Sequence, residues 1–335
     1  MTLEFSDPDR GKNHPSVTVV IPTRGRPELS RRAVESALAQ TFQNLEVIVV
    51  VDGPDESTQR ALAEVRDVRL RVLNLPVRAG GSRARNHGVQ AAKGEWVAFL
   101  DDDDEWLSDK LEIQMEWISR LADPASAVVS CQVWRRNRDS QDIVPERVYD
   151  ERQTVSEFLF CREKLHDFRC VQTSTLLASK QLCLSLPFTP DLKMHQDYDF
   201  VLRAVEGKGA KLLMVPRPLA VWRHDHAYAH VGCGRDWKFS LQWMTTNIAL
   251  FSPAARTAFM LTVVSPPCWS AALWRTLFSS PLTPGAPRPL WIAMYCVKTM
   301  KSAFSAAASY SRQAWYFLAR HLANVKRATE RGVGL

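Results

Sequence analysis

The sequence predicts an α/β fold with a mostly parallel central sheet flanked by helices, followed by a helical C-terminal extension. Two observations carry this reading. Short apolar, β-branched runs alternate with helical patterns from Val17 to Trp222. From Arg235 onward the pattern turns helical and rich in Trp, with a Pro-rich break from Pro281 to Pro289.

Taken in order, buried strands are predicted at 17–21, 45–51, 69–73 and 96–100. Between them the spacing predicts a helix over 27–40 with Pro27 in its first turn, one over 57–64, and one over 82–92 closed by Gly94. A helix over 109–121, a strand over 127–133, a polar stretch over 135–152, a strand over 173–178 and a helix over 195–205 come next. Two short strands, 211–215 and 219–222, end the alternating part.

In an open α/β sheet the ligand sits outside the carboxyl ends of the strands. The residues there are Pro22-Thr23-Arg24, Asp52-Gly53 and Asp101-Asp102-Asp103-Asp104. Four acids directly after an apolar strand repel one another unless a cation or strong donors neutralise them. A hard divalent ion held by one or two carboxylates and by phosphate oxygens meets that need, and a solvated loop or helix cap is the plainer alternative. Gly80, Gly81, Arg83, Arg85 and Asn86 stand before and within the first turns of a helix, where backbone N–H groups and guanidinium forks suit diphosphate oxygens. Neither a G-x-G-x-x-G nor a P-loop pattern occurs.

Composition bounds the setting. The seven cysteines include no C-x-x-C pair, so no zinc site or disulfide framework is expected, and a reducing, cytoplasmic location fits. The first sixteen residues are polar and lack the apolar core of a secretory signal, and no apolar run reaches the length of a spanning helix. Ten Lys or Arg and a single acid, Glu330, fall in residues 251–335, so the net charge of +7 belongs to the tail. With Trp269, Trp274, Trp291 and Trp315 among these charges, the tail suits an anionic membrane surface on the inner face of the membrane. Packing on the α/β domain or forming a homodimer is the alternative, and no nucleic-acid partner is expected.

The ordered set Val17-Thr18-Val19-Val20-Ile21-Pro22-Thr23-Arg24-Gly25-Arg26, Val49-Val50-Val51-Asp52-Gly53, Ala84-Arg85-Asn86-x-Gly88, Ala92-Lys93-Gly94-Glu95, Phe99-Leu100-Asp101-Asp102-Asp103-Asp104 and His195-Gln196-Asp197-Tyr198-Asp199-Phe200 resembles a family 2 inverting glycosyltransferase of the GT-A (nucleotide-diphospho-sugar transferase) fold. The resemblance implies a polar N-terminal arm over 1–15, a catalytic domain over 16–232 and a basic helical region over 233–335. Within the domain, 16–104 would form the nucleotide-binding half and 105–232 the acceptor half.

It further implies that Pro22, Thr23, Arg24, Asp52, Arg85, Asp101 and Asp102 contact the nucleotide, with Asp52 accepting from the base and Asp55 near enough to share that role. Asp103 would ligate Mn²⁺ or Mg²⁺, although four acids in a row allow the frame to slip by one. His224 is the better candidate for a second metal contact and His226 the alternative. Asp197 would be the catalytic base, with Asp199 as runner-up. The implied donor is a nucleotide-diphosphate sugar, by family habit a UDP-sugar, and the acceptor a hydroxyl of a glycan or lipid-linked sugar in cell-surface polysaccharide synthesis. A nucleotidyltransferase should show a Gly-rich loop after the first strand, which Pro22-Thr23-Arg24-Gly25-Arg26 is not. A non-catalytic, degenerate relative that binds membrane or polymer would not need Asp52, Asp103 and Asp197 together.

Overall fold

A computed structural model describes residues 15–162, 168–223 and 236–264. The predicted βαβ units are present: β1 (Val17–Thr23), α1 (Pro27–Leu38), β2 (Leu45–Val51), α2 (Glu56–Ala63), β3 (Leu70–Asn74), α3 (Gly81–Ala91) and β4 (Trp96–Phe99). These four strands are mutually parallel in the order β3-β2-β1-β4. β2 is buried along its whole length, which is why its run is uniformly apolar instead of alternating.

The second half is mixed. After β5 (Glu105–Trp106) and α4 (Lys110–Ser119) come β6 (Ala127–Arg136), β7 (Gln141–Val144), α5 (Val155–Phe160), β8 (Leu177–Ser179), α6 (Lys180–Ser185), α7 (Gln196–Leu202) and β9 (Lys211–Arg223). The sheet continues β4-β8-β6-β9-β5, with β8 antiparallel to β4 and β6, β9 parallel to β6, and β7 pairing β6. The segment predicted as one strand over 173–178 is a 3₁₀ turn at Thr173–Thr175 followed by β8. The two short strands predicted over 211–222 are one strand with a register shift opposite Cys131–Val133. Pro216 and Pro218 cannot donate to a ladder, and the irregularity accommodates them.

Helices cover both faces. One core joins β1 and β2 side chains to Ala33, Val34 and Ala37 of α1 and to Leu111 and Ile118 of α4. The other joins Val20 and Phe99 to Phe158, Phe188, Phe200 and Trp243. Trp243 lies in α8 (Trp237–Thr246), which with α9 (Pro253–Phe259) packs on this second core, so the described helices beyond β9 are built into it. No helix among the described residues is long and apolar enough to cross a membrane.

The end of the sheet opposite the strand carboxyl termini is closed by a buried charge network. Glu46, 5% exposed, accepts from the Thr18 hydroxyl (2.8 Å), the Lys93 N–H (2.6 Å) and Arg71 Nη1 (2.8 Å). Gly94 presses against this network: its N–H donates to Thr18 Oγ1 (2.9 Å), and a Cβ there would lie 2.6 Å from Thr18 N and 2.7 Å from Val17 C. Both are backbone atoms and cannot swing aside. Gly94→Ala is therefore expected to cost about 3 kcal/mol and to lower Tm by roughly 6–12 °C in thermal denaturation; an unchanged Tm would refute the close approach.

Candidate active site

The four acids form a tight turn closed by Asp104 N–H to Asp101 O (3.1 Å). Their side chains alternate: Asp101 and Asp103 are half-buried, whereas Asp102 (7% exposed) and Asp104 (1%) point inward. Asp102 accepts the Thr23 hydroxyl at Oδ2 (2.7 Å) and Arg26 Nη1 at Oδ1 (2.9 Å). Burial pushes its carboxyl up to about 6 while the Arg26 charge pulls the other way. Asp104 accepts from the Ser174 hydroxyl (2.6 Å), from Gln172 Nε2 and from Arg223 N–H (3.2 Å), tying the turn to the 3₁₀ segment and to the end of β9. Burial first, then the charges of Asp103 and Asp101, hold its carboxyl well above the ordinary range.

The first strand end places Pro22 half-buried, Thr23 buried and Arg24 exposed. Arg24 Nη1 donates to the Asp52 carbonyl (2.7 Å), not to its carboxylate. The Asp52 carboxylate, 6% exposed, takes the N–H groups of Ala79 (2.6 Å) and Gly80 (3.0 Å). Gly80 has φ +89°, a left-handed conformation, and immediately precedes α3. Asp52 thus fashions the loop that leads into the N-terminus of α3. Asp55 caps α2 through Thr58 N–H (3.1 Å) and also holds Gly25 N–H (2.5 Å).

Arg85, on the first turns of α3, is 6% exposed. Its Nη2 pairs with Asp101 and its Nη1 donates to Gln196 Oε1 (2.6 Å), so the guanidinium joins the acidic turn to the start of α7. Two further ties hold the loop before α7 against α3. Asn86 exchanges hydrogen bonds with the Phe188 backbone (2.8 and 2.9 Å), and Arg83 pairs with Asp191 (2.7 Å).

Asp197, next to Gln196, is half-buried and accepts the Tyr198 N–H (2.9 Å). Burial pushes its carboxyl up to about 7; the Tyr198 N–H opposes this and the Asp101 charge adds to it. Asp199 is a different kind of acid. It is 2% exposed and its oxygens take the Thr189 hydroxyl (2.6 Å), Arg203 Nε (2.8 Å) and Trp243 Nε1 (3.0 Å), contacts that give it a structural role.

Asp197 also has a support that sequence reasoning missed. His195 adopts φ +64°, stacks on Trp243 with ring centroids 4.6 Å apart, and shares a 2.9 Å hydrogen bond with Ser240 Oγ. Burial pulls the imidazole down to about 4. Trp243 therefore grips residues on both sides of Asp197 from α8. Arg26 was also missed, although it stands in the quoted Pro22-Thr23-Arg24-Gly25-Arg26 run; it bridges Asp102 and Asp103, with both contacts at 2.9 Å. His224 and His226 lie outside the described residues, as do the part of the basic tail beyond residue 264, with its four tryptophans, and residues 1–14 of the N-terminal arm.

Whether the acidic turn fits a divalent cation is decided by its donor set. Its accessible oxygens are carboxylates of Asp101 and Asp103, hard ligands suited to Mg²⁺ or Mn²⁺. Among the described residues no group of three acids, His or Cys stands in metal-binding geometry. The described chain thus offers one or two carboxylates, and oxygens from water or phosphate would complete a shell.

Comparison with known proteins adds an independent view. Residues 18–176 match the model of "Glycosyl transferase family 2". The amylovoran biosynthesis glycosyltransferase AmsB of Erwinia amylovora is 28% identical over 239 residues, 68% of this chain and 76% of its own length. The UDP-Glc:alpha-D-GlcNAc-diphosphoundecaprenol beta-1,3-glucosyltransferase WfgD of Escherichia coli is 32% identical over 99 residues, 30% of this chain and 39% of its own. Among solved structures, S. aureus TarS 1-349 in complex with UDP-GlcNAc aligns with TM-score 0.55 at 16% identity over 78% of each chain. The mannosyltransferase PcManGT from Pyrobaculum calidifontis, in complex with GDP-Man and Mn²⁺, aligns with TM-score 0.50 at 19% identity over 93% of this chain and 81% of that one. At these identities the structures bear on the fold alone. The family match ends at residue 176, before α7 and Asp197.

Proposed function

We propose that this chain, which matches the family 2 glycosyltransferases over residues 18–176 and has the GT-A fold, is such an enzyme and transfers a sugar, with inversion, from a UDP-sugar to a hydroxyl of a glycan or lipid-linked acceptor in polysaccharide synthesis. The observation that carries the reading is the Asp101–Arg85–Gln196 link, which sets the acidic turn and Asp197 on either side of one buried guanidinium. The named substrates of WfgD, a UDP-sugar and a diphosphoundecaprenol-linked sugar, support the donor and acceptor class.

Asp197 takes the proton of the acceptor hydroxyl as that oxygen bonds to the anomeric carbon; the bond from that carbon to the diphosphate breaks, and the electron pair leaves with the phosphate. A base whose pKa lies near 7 suits proton removal at neutral pH. Asp101 and Asp103, which alternate outward, are the frame of the turn that faces the donor, and Asp103 is the residue that would hold the metal; Asp102 and Asp104 hold the turn in shape. When bound there, Mn²⁺ or Mg²⁺ would act as a Lewis acid on the departing diphosphate. Pro22, Thr23 and Arg24 form the nucleotide wall, Asp52 reads the base with the lone pairs left by Ala79 and Gly80, and His224 is the residue that would supply a further contact to the metal or diphosphate. The basic, Trp-containing segment beyond α9 brings the domain, to whose core α8 and α9 belong, to the cytoplasmic face of a membrane.

The decisive experiment presents UDP-, GDP- and dTDP-sugars with Mn²⁺ or Mg²⁺ and a polyprenyl-diphosphate-linked sugar, and follows the product anomer by NMR. Transfer from a UDP-sugar with inverted configuration is expected; a retained configuration would sink the mechanism, and preference for GDP or dTDP would correct the donor. The Trp243 grip adds a second expectation. Trp243→Ala should lower kcat by roughly 10²-fold through misplacement of Asp197, with calorimetric donor affinity unchanged and Trp243→Phe largely restored. Loss of donor affinity instead would mean that α8 acts on the nucleotide half.

A further inference from the structure

We propose that Arg26 is a built-in competitor of the divalent cation, which makes metal binding conditional on the nucleotide diphosphate. The inference rests on the reading of Asp103 as the metal ligand.

Arg26 stands at the entrance to α1, where Pro27 fixes the next residue and its own carbonyl accepts the Ser30 N–H (2.9 Å), so its backbone is anchored. Its Nη1 lies 2.9 Å from Asp102 Oδ1 and 2.9 Å from Asp103 Oδ2, between two consecutive carboxylates of the turn. Asp102 keeps a second partner, the Thr23 hydroxyl, and is nearly inaccessible (side chain 9% exposed), so it is the fixed end of the bridge. Asp103, with its side chain 20% exposed, is the end a solvent-borne cation can reach. Asp101 is meanwhile matched by Arg85. The acidic turn is thus already supplied with cations from its own chain.

A divalent ion arriving alone at Asp103 exchanges one cation for another and breaks one of the guanidinium's two carboxylate contacts, leaving the one to Asp102. An ion arriving with a nucleoside diphosphate brings a new anion for it. A guanidinium fork suits phosphate oxygens as well as carboxylates, so Arg26 can pass from Asp103 to the diphosphate without losing a partner. Metal and nucleotide then bind with positive coupling, and the coupling is reciprocal.

The test measures Mn²⁺ binding to the full chain from the electron paramagnetic resonance signal of free Mn²⁺, with and without UDP. In the parent, UDP should tighten Mn²⁺ binding by at least roughly tenfold. In Arg26→Gln, Mn²⁺ alone should bind about tenfold tighter than to the parent, and the effect of UDP should shrink by a similar factor. Arg26→Lys, which keeps a charge at shorter reach, should fall between the two and guards against a variant that does not fold. Equal Mn²⁺ affinity in the parent with and without UDP would overturn the proposal, as would Arg26→Gln or Arg26→Lys binding Mn²⁺ alone no better than the parent. Asp103→Asn separates the two levels. If it leaves UDP-dependent Mn²⁺ binding intact, the metal assignment fails; if it abolishes that binding while Arg26→Gln changes nothing, only the competitor role fails.

Discussion

Asp197→Asn is expected to lower kcat by about 10²- to 10⁴-fold, the usual loss when a well-placed base is removed, while leaving calorimetric donor affinity within about twofold of the parent. The amide keeps an oxygen for the Tyr198 N–H and preserves volume, so the change is confined to proton removal. The pH dependence follows from the same carboxyl. Its ionised form is the base, so kcat of the parent should rise with pH through a midpoint near 7, and the residual rate of the variant should lack that limb. The stability effect runs in the opposite direction. A carboxyl with its folded pKa raised binds its proton in the folded state between the ordinary carboxyl range and about 7, where the unfolded chain has already released it. Its contribution is most favourable below the unfolded pKa and is lost as pH rises through the folded value. Asp197→Asn should therefore match the parent in Tm at pH 4 and exceed it at pH 8. Activity loss accompanied by a lower Tm at pH 8 would show that Asp197 is a structural acid.

The sequence made the first half legible because β1, β2 and β4 are buried runs ending in punctuating residues, so both the strands and their functional ends stood out. The second half was harder for identifiable reasons. β7, with exposed Gln141 and Asp142 and only β6 as partner, sits inside a charged stretch and carries too little apolar signal to read as a strand. Pro216 and Pro218 made one bulged strand read as two. At the site, the acids themselves were plain, but which faced inward was not. Asp102 and Asp104 differ from Asp101 and Asp103 only through partners distant in sequence, such as Thr23, Gln172, Ser174 and Arg223. Trp243 was invisible for the same reason, since its contacts with His195 and Asp199 span more than forty residues. Periodicity reports which face is buried and says nothing of what a buried polar group bonds.

That alternation makes the acidic turn a sharp test of the metal assignment. Asp103→Asn should reduce metal-dependent UDP affinity by more than about 100-fold, because even an outer partner of a metal ligand is commonly worth about 10- to 100-fold. Metal-independent UDP binding should persist, since Thr23, Arg24 and the loop before α3 are untouched. Asp102→Asn should behave differently. The amide of that variant would retain an oxygen for Arg26 and Thr23, and burial already disfavours the charge it removes. Metal-dependent affinity should therefore fall by less than about tenfold, with Tm held or raised near pH 8, above the Asp102 pKa of about 6. Calorimetric titration of UDP into each variant with and without Mn²⁺ reads both effects at once. If Asp102→Asn rather than Asp103→Asn abolished the metal dependence, the turn would have to rearrange on binding so that its buried acids face the donor. The bridge from Arg26 to both carboxylates would then be the contact that breaks first.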